Sequence, residues 1–317
     1  MSEKLAQSDR MLSESYERRL QQEYPTHIVS PLVYNWRQAP LLDQPGEHLP
    51  YVRLNQNNGT KPVLYVPGFT EGIVAKAAFG AELANLGHDV VLPDQNHKKI
   101  LEDAVTGKKS ATYSQAVNYL AALKAEKLGG VDIITHSYGS LIFDAMTRIA
   151  AQKGLEHFQD SKVIMLAPAG FSKESFFGLI RRLLVSMRSE GRGNPKEFDE
   201  PDMLKAGIKN AFVNVPRALR EGVELSRLQV DYEGLLRDRR IGSLCLVSYA
   251  ADALYPEKVL EGEVSRAVKT GASWCVPIGQ KVRFDPKTSK PHATHNDEQY
   301  NPYRVAGVAH QLLQEAA

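Results

Sequence analysis

Hydrophobic and polar positions follow two rhythms along the chain, and their alternation predicts strands separated by helices. Four short apolar runs have the length and composition of strands buried on both faces, at residues 62–66, 89–92, 131–135 and 162–166. Three segments between or after them have helical spacing and end at or near a glycine, at residues 73–86, 113–128 and 139–153. Because strands separated by helices of this length require βαβ crossovers, we predict an α/β fold with a mostly parallel sheet flanked by helices.

The rhythm is interrupted once, near Gly170. Residues 171–240 contain only helical patterns, and strand patterns then resume at residues 243–249 and 273–278 before a last helix at 303–315. An all-helical insert between two strands of a parallel sheet predicts a lid over the carboxyl edge of that sheet. We therefore call residues 171–240 the helical insert.

The remaining chain divides into an extension and a core. Residues 1–25 have sparse apolar positions and predict an N-terminal helical extension, whereas residues 26–170 and 241–317 form the α/β core. Strand-like runs lie at 27–36 and 49–54, and Asn58-Gly59 follows the second run. An Asn-Gly pair favours positive φ, so we expect a hairpin-like turn between the second run and the strand at 62–66.

Composition and charge exclude several classes of protein. The 39 basic and 37 acidic residues among 317 give a formal charge of +2, which does not indicate a nucleic-acid-binding protein. Two cysteines exclude a disulfide scaffold, and the nine histidines show no metal-binding spacing, so we expect no metal or cofactor. The charged N-terminus lacks a signal-peptide core and no apolar run is long enough to span a bilayer. We therefore expect a cytoplasmic protein; peripheral membrane contact and the oligomeric state stay open.

Residues 131–140, with the sequence VDIITHSYGS, are the most informative segment. A buried strand is predicted to end at Thr135 and a helix to begin at Gly139, with Ser137 at the turn between them. The pattern small-x-Ser-x-Gly belongs to a nucleophile elbow, in which small neighbours allow the flanking backbones to approach closely. The helix that follows places partial positive charge where an oxyanion would form.

On this motif the chain resembles the α/β-hydrolase fold enzymes that use a serine nucleophile, over about residues 50–317. Thr135 is a departure, because glycine is commoner at that position of the elbow. The resemblance implies that the loop after the strand at 62–66 supplies one oxyanion-hole N–H. Proline stands where the family usually has histidine in that loop, which leaves Phe69 as the expected donor, paired with the N–H of Tyr138.

The resemblance also implies an acid after a later strand and a histidine after the last one. Asp252 lies in the loop after residues 243–249 and precedes Pro256 by four positions, which is long for a helix cap and favours the role of triad acid. Two histidines, His292 and His295, follow the last predicted strand. We expect His295 to be the general base, because His292 ends a proline-flanked stretch that indicates a surface loop.

These residues together predict a serine hydrolase of carboxylic esters that uses the triad Ser137, Asp252 and His295. Apolar positions in the insert, including Phe176 and Phe177, indicate a small-molecule acyl substrate such as an acyl ester, a lysophospholipid or a monoacylglycerol. The same triad serves thioesterases, acyltransferases and C–C hydrolases, and the fold also hosts ligand-binding receptors with little turnover. Two cysteines in apolar strand runs, Cys245 and Cys275, are expected to be buried thiols.

Overall fold

The structure is a computed structural model, and it describes a defined part of the chain. The described residues are 35–43, 46–55, 59–68, 73–94, 106, 109–170, 175–179, 181–182, 215–238, 240–247 and 302–315. The predicted N-terminal helix, the strand at 273–278 and the residues Phe69, Asp252, Cys275, His292 and His295 lie outside them.

Seven strands form one sheet. Their bounds are β1 Asn35–Pro40, β2 His48–Leu54, β3 Val63–Val66, β4 Val90–Pro93, β5 Asp132–His136, β6 Ser161–Leu166 and β7 Ile241–Val247. The order across the sheet is β1-β2-β4-β3-β5-β6-β7. Strand β2 is antiparallel to both of its neighbours, and every other pair among the described strands is parallel. The prediction of a mostly parallel sheet is confirmed.

Helices cover both faces of the sheet. Their bounds are α1 Ile73–Asn85, α2 Ala111–Ala125, α3 Gly139–Lys153, α4 Val215–Arg227, α5 Tyr232–Arg237 and α6 Pro302–Glu315. Helices α2 and α3 pack together over one hydrophobic cluster, and α1 packs with α6 over a second one. Because successive side chains of a strand point to opposite faces, each buried strand contributes to both clusters.

The strand order differs from the hairpin predicted around Gly59. Gly59 has the positive φ of +79° that the dipeptide favours. The strands on either side are nevertheless not paired, because β4 lies between β2 and β3. The prediction was wrong on this point: a local turn signal identifies the backbone conformation, but it does not identify the partner of the strand that follows.

The topology brings three strand ends to one edge of the sheet. Strand β5 lies between β3 and β6, with Val66 beside Thr135 and His136 beside Leu166. Since the three strands are parallel, the loops that leave them start side by side. Within the helical insert, the described residues form α4, α5 and helical residues at 176–179 and 181–182.

Candidate active site

Ser137 has a backbone conformation that few serines adopt. It follows β5 directly, has φ +47° and is only 2 % exposed. A left-handed conformation costs a residue with a side chain about 1–2 kcal/mol, so it persists only where the surroundings impose it. Here the Ser137 N–H donates to the Leu166 carbonyl at 3.0 Å, and the Ser137 carbonyl accepts from the N–H of Ala169 at 3.2 Å. The turn is therefore held by the end of β6.

Gly139 allows this turn to approach the loop after β3. A Cβ atom at this position would lie 2.3 Å from the Val66 carbonyl oxygen and 2.8 Å from that of Pro67. Both atoms belong to backbone, which has no flexible end to move aside. Glycine is thus required two positions after Ser137, and the elbow is in van der Waals contact with the end of β3.

Thr135 fits where glycine is commoner. Its side chain is buried, and its hydroxyl lies 3.2 Å from the hydroxyl of Ser140 in the first turn of α3. The threonine therefore joins the strand before the elbow to the helix after it. The departure from the usual motif is accommodated by a hydrogen bond and leaves the turn intact.

Helix α3 begins immediately behind the serine. Tyr138 is its N-cap residue, with φ −55° and ψ −25°, and the Tyr138 side chain makes no capping hydrogen bond. The first turn of a helix carries partial positive charge, which favours an anion beside the serine. The Tyr138 side chain points away into the protein and is fully buried.

The hydroxyl of Tyr138 lies in a polar cluster of three buried residues, Thr112, Tyr138 and Glu224, and the partly exposed Arg220. We call these four residues the Glu224 cluster. The phenol oxygen is 2.7 Å from the Thr112 hydroxyl and 3.3 Å from Glu224 Oε2. The Glu224 carboxylate accepts from the backbone N–H of Ala111 at 2.8 Å and of Thr112 at 2.9 Å, and from the Thr112 hydroxyl at 2.7 Å. Arg220 Nε donates to it at 3.1 Å.

Sequence reasoning missed this cluster. Glu221 and Glu224 are spaced three apart on α4 and are both buried, and Glu221 accepts a hydrogen bond from the amide of Gln115 at 2.5 Å. The available signal was that spacing together with Leu225, since it places two acids on the buried side of an amphipathic helix. Two buried acids on one helix face require partners, which here are the N-terminal turns of α2.

The end of the insert is attached next to the elbow. The N–H of Val230 donates to the Gly170 carbonyl at 3.0 Å, and the hydroxyl of Tyr232 donates to the Ala169 carbonyl at 3.0 Å. Gly170 has φ +86°, and a Cβ there would lie 2.9 Å from the Val230 side chain. Ala169 also bonds Ser137, so one short loop contacts both the serine and the insert.

Asp144 in α3 forms a further attachment point. Its pKa is raised to about 6, chiefly because the carboxyl is buried; Arg148 lowers the pKa, and the charge of Asp231 raises it. The Arg148 guanidinium lies 2.5 Å away, and the N–H of Asp231 also hydrogen-bonds the carboxyl. The start of α5 thus rests on a buried acid in the helix behind Ser137.

The two phenylalanines proposed to contact substrate have different surroundings. A Cβ on Gly222 would lie 3.2 Å from the Phe176 ring, so this ring packs on α4. Phe177 is 81 % exposed, and the two ring centroids are 6.1 Å apart. Their contact with a substrate stays a prediction.

The structure places Ser137 and Tyr138 beside the ends of β3 and β6, and their catalytic roles stay predictions. Cys245 is a buried thiol, as predicted. Asp252, His295 and Phe69 lie outside the described residues, so their roles stay predictions. In the described part of the chain, no group of three or more side chains has an arrangement suited to a metal ion, and none of the helices has both the length and the apolar character needed to cross a bilayer.

Comparison with known proteins gives structural similarity without sequence similarity. No protein-family model and no curated protein matches the sequence. Among solved structures, a thermophilic esterase from Thermogutta terrifontis has a TM-score of 0.57 at 16 % identity, over 89 % of this chain and 99 % of the esterase. A bacterial membrane phospholipase A described as a virulence factor has a TM-score of 0.61 at 13 % identity, over 100 % and 99 %. An epoxide hydrolase from Vigna radiata has a TM-score of 0.54 at 10 % identity, over 89 % and 98 %.

These similarities and the strand order define the fold. The chain has the α/β-hydrolase fold, and the fold predicted from the elbow motif is confirmed. Identities of 10–16 % show the fold alone, since the same fold carries esterases, a phospholipase and an epoxide hydrolase.

Proposed function

We propose that the protein is a serine hydrolase of carboxylic esters with Ser137 as its nucleophile. The observation that carries the proposal is the backbone of Ser137. It is a buried serine with φ +47° at a strand-to-helix turn, and Gly139, two positions later, lies against the carbonyls of Val66 and Pro67. Local strain of this kind persists where a side chain must be presented in one orientation. A serine at an ordinary βα turn requires neither feature.

The reaction follows from the residues around this turn. The Ser137 hydroxyl attacks the ester carbonyl carbon while His295, oriented by Asp252, accepts its proton. The negative charge on the former carbonyl oxygen is stabilised by the N–H of Tyr138 at the start of α3 and the N–H of Phe69. The C–O bond then breaks, and His295 returns the proton to the leaving alcohol.

Hydrolysis completes the cycle. A water molecule loses a proton to His295 and attacks the acyl-serine carbonyl. The bond from that carbon to Ser137 Oγ then breaks, His295 returns the proton to Oγ, and the carboxylic acid leaves. An aspartate at the position of Ser137 would have favoured epoxide hydrolase or dehalogenase chemistry, so the serine supports acyl transfer. None of these steps requires a metal or an organic cofactor.

We further propose a partly apolar acyl substrate, with the helical insert of residues 171–240 acting as a lid. Helix α4 lies against the elbow through Glu224 and Tyr138, and the insert is attached to the loop that bonds Ser137. Phe176 and Phe177 present aromatic surface on this insert. The esterase and phospholipase neighbours support an ester of this kind.

The test is a panel of p-nitrophenyl esters of increasing chain length, together with labelling by a fluorophosphonate. Ser137→Ala should lower turnover by roughly three orders of magnitude or more and abolish labelling. Ser243→Ala, at the opposite edge of the sheet in β7, is the matched control and should keep both. Wild-type turnover in Ser137→Ala would refute the proposal.

The same assay separates the remaining alternatives. His295→Ala should abolish turnover and His292→Ala should leave most of it, and the reverse result would reassign the base. Phe176→Ala should reduce turnover of long esters more than turnover of the acetate. A protein that is labelled but turns over no ester would be a receptor, whereas transfer of the acyl group to an added alcohol would indicate an acyltransferase.

A further inference from the structure

We propose that Glu224 is a positioning residue for the elbow: it holds the Tyr138 hydroxyl, and through it the peptide between Ser137 and Tyr138. The inference rests on the proposed function, because it concerns the donor expected to face the oxyanion. The orientation of the elbow then depends on α4, which belongs to the insert, being packed against the core. An insert displaced from the core would leave Tyr138 without its carboxylate partner.

The hydrogen bonds of the cluster point in one direction. A carboxylate only accepts, so the Thr112 hydroxyl donates to Glu224 and offers its lone pairs to the phenol of Tyr138. Tyr138 donates to Thr112 at 2.7 Å, with Glu224 Oε2 a further acceptor at 3.3 Å. The chain Tyr138, Thr112, Glu224 therefore ends at the carboxylate that α4 supplies.

The three residues joined by these hydrogen bonds are all buried, which strengthens the bonds. Tyr138 is 0 % exposed, Thr112 is 3 % exposed and Glu224 is 7 % exposed. Hydrogen bonds to charged groups are stronger than neutral ones, and in a buried site they are little weakened by water. The phenol oxygen consequently has a fixed position relative to α2.

Tyr138 is fixed at its other end as well. Its carbonyl accepts the N–H of Leu141 at 3.0 Å in the first turn of α3, so the residue cannot rotate freely about its backbone. The peptide that joins Ser137 to Tyr138 is held at its own carbonyl, since Ser137 O accepts the N–H of Ser140 at 3.1 Å and of Ala169 at 3.2 Å. With the phenol also held, the Tyr138 N–H has one direction. An oxyanion donor is effective only when its direction is set before the reaction.

Glu224 has more partners than capping α2 requires. Ser110 already caps α2 by accepting the N–H of Tyr113 at 3.0 Å, and the Glu224 carboxylate takes the N–H groups of Ala111 and Thr112. Those two bonds would complete the cap. The contacts to the hydroxyls of Thr112 and Tyr138 extend the carboxylate toward the elbow.

The test uses the full-length protein with p-nitrophenyl butyrate. Tyr138→Phe removes one oxygen atom, and Glu224→Gln keeps the shape while weakening the acceptor. We expect each variant to lower kcat about tenfold with KM within about twofold of wild type, because the donor is misdirected while the binding surface is unchanged. The rate of fluorophosphonate labelling of Ser137 should fall in parallel.

The controls make the same chemical changes elsewhere. Tyr113→Phe removes a phenol oxygen from a partly exposed residue of α2, and Glu156→Gln neutralises an exposed carboxylate. Both should keep wild-type kcat. The double variant of Tyr138→Phe and Glu224→Gln should lose no more activity than the stronger single variant, since both interrupt one chain of hydrogen bonds.

Three outcomes are decisive. Folded Tyr138→Phe and Glu224→Gln with wild-type kcat would show that Glu224 only caps α2, and losses that multiply in the double variant would also overturn the coupling. If Glu224→Gln does not fold, Tyr138→Phe alone decides, because it leaves every bond to the carboxylate of Glu224 except its own. A wild-type protein that the fluorophosphonate does not label would overturn the proposed function and the coupling together.

Discussion

The two ends of helix α2 are both held by a glutamate, but the two glutamates have different partners. At the N-terminal end, Glu224 reaches in from α4 and accepts from two backbone N–H groups, two hydroxyls and Arg220 of its own helix. At the C-terminal end, Glu126 of the cap position accepts from Arg37, Tyr51 and Arg53, each at 2.5 Å. Arg53 also binds Asp89 through two bonds, at 2.9 Å and 2.5 Å.

The helix dipole explains why the partners differ. Negative charge is favourable near a helix N-terminus and unfavourable near a C-terminus. Glu224 is thus stabilised by the N-terminus of α2 and by one partly exposed arginine, Arg220, whereas Glu126 depends on arginines from β1 and β2. Burial raises the pKa of Glu126, but hydrogen bonds from Tyr51 and Arg37 outweigh it and hold the pKa below its ordinary value. The first end joins the insert to the elbow, and the second joins the antiparallel edge of the sheet to α2.

The largest expected effect is on stability at the C-terminal end. Arg53→Met should lower the free energy of unfolding by about 3–5 kcal/mol, because it leaves the buried Asp89 without its guanidinium partner. The kcat of the folded protein should not change. Urea unfolding followed by circular dichroism measures the free energy of unfolding. An ester assay on protein whose active sites have been titrated measures kcat.

A neighbouring arginine provides the control. Arg37 also binds Glu126, but its side chain is 34 % exposed, so Arg37→Met should cost only about 1 kcal/mol or less. If Arg53→Met lowered kcat as strongly as Tyr138→Phe, the distinction between the two ends of α2 would fail.

The second prediction concerns the sign of the pH dependence. The pKa of Asp144 is about 6, above its unfolded value, so the folded state binds the proton more tightly. Stability from this group falls as pH rises from about 4 to about 6, and Asp144→Asn should therefore raise the free energy of unfolding at about pH 7 by up to about 3 kcal/mol. The contribution of Glu126 changes with pH in the opposite direction. Because its pKa is lowered in the folded state, Glu126 stabilises the fold at higher pH, and this stabilisation is lost on acidification.

Unfolding midpoints measured across this pH range check the prediction. The difference between Asp144→Asn and wild type should shrink toward about pH 4, where the aspartic acid is protonated in both states. A difference that did not vary with pH would mean that the variant acts through packing and that the charge of Asp144 has no part in it.

The third prediction tests the N-terminal end of α2 directly. Thr112→Val removes the hydroxyl between Tyr138 and Glu224 and should lower the free energy of unfolding by about 1–2 kcal/mol. It should also lower kcat. Thr147→Val is the matched control: this buried hydroxyl donates only to the Asp144 carbonyl, so its loss should reduce stability and leave kcat unchanged. Equal kcat in the two variants would contradict the role of the Glu224 cluster.

The smallest expected effect is at the elbow itself. Ser137→Gly should be more stable than Ser137→Ala by about 1 kcal/mol, because glycine adopts φ +47° without strain. Both variants lack the proposed nucleophile, so thermal unfolding compares them without any effect of turnover. At Ser243, within β7, the order should be reversed: Ser243→Gly should be less stable than Ser243→Ala, since glycine weakens a strand. An alanine variant as stable as the glycine variant would mean that the elbow is unstrained.

The sheet and its helices were predictable because buried parallel strands are continuous apolar runs. The runs at 62–66 and 131–135 correspond to β3 and β5, and the final helix begins one residue earlier than predicted, at Pro302. The position of Ser137 was equally accessible, since the small residues around it reflect a close approach of backbones that the structure shows at Gly139.

The remaining features depend on contacts between distant parts of the chain. The place of β2 beside β4 is set by the packing of the whole sheet, which no local turn signal contains. Glu224 meets Thr112 across 112 positions, and Asp144 has its pKa raised by a burial that its helical spacing does not reveal. Charged residues on an amphipathic helix normally face water, so a pattern of polarity alone assigns them to the surface.

Helix α2 also sets the distance between its two carboxylate sites. Its 15 residues correspond to a length of about 22 Å, which exceeds the electrostatic screening length of about 8 Å in physiological salt. Changes at Glu126 and at Glu224 should therefore combine additively, within about 0.5 kcal/mol. If the proposed function holds, this helix separates two sites that an engineer can change independently. Substitutions at the end that faces β1 and β2 should alter heat resistance, and substitutions at the end that faces the insert should alter the rate of acyl transfer.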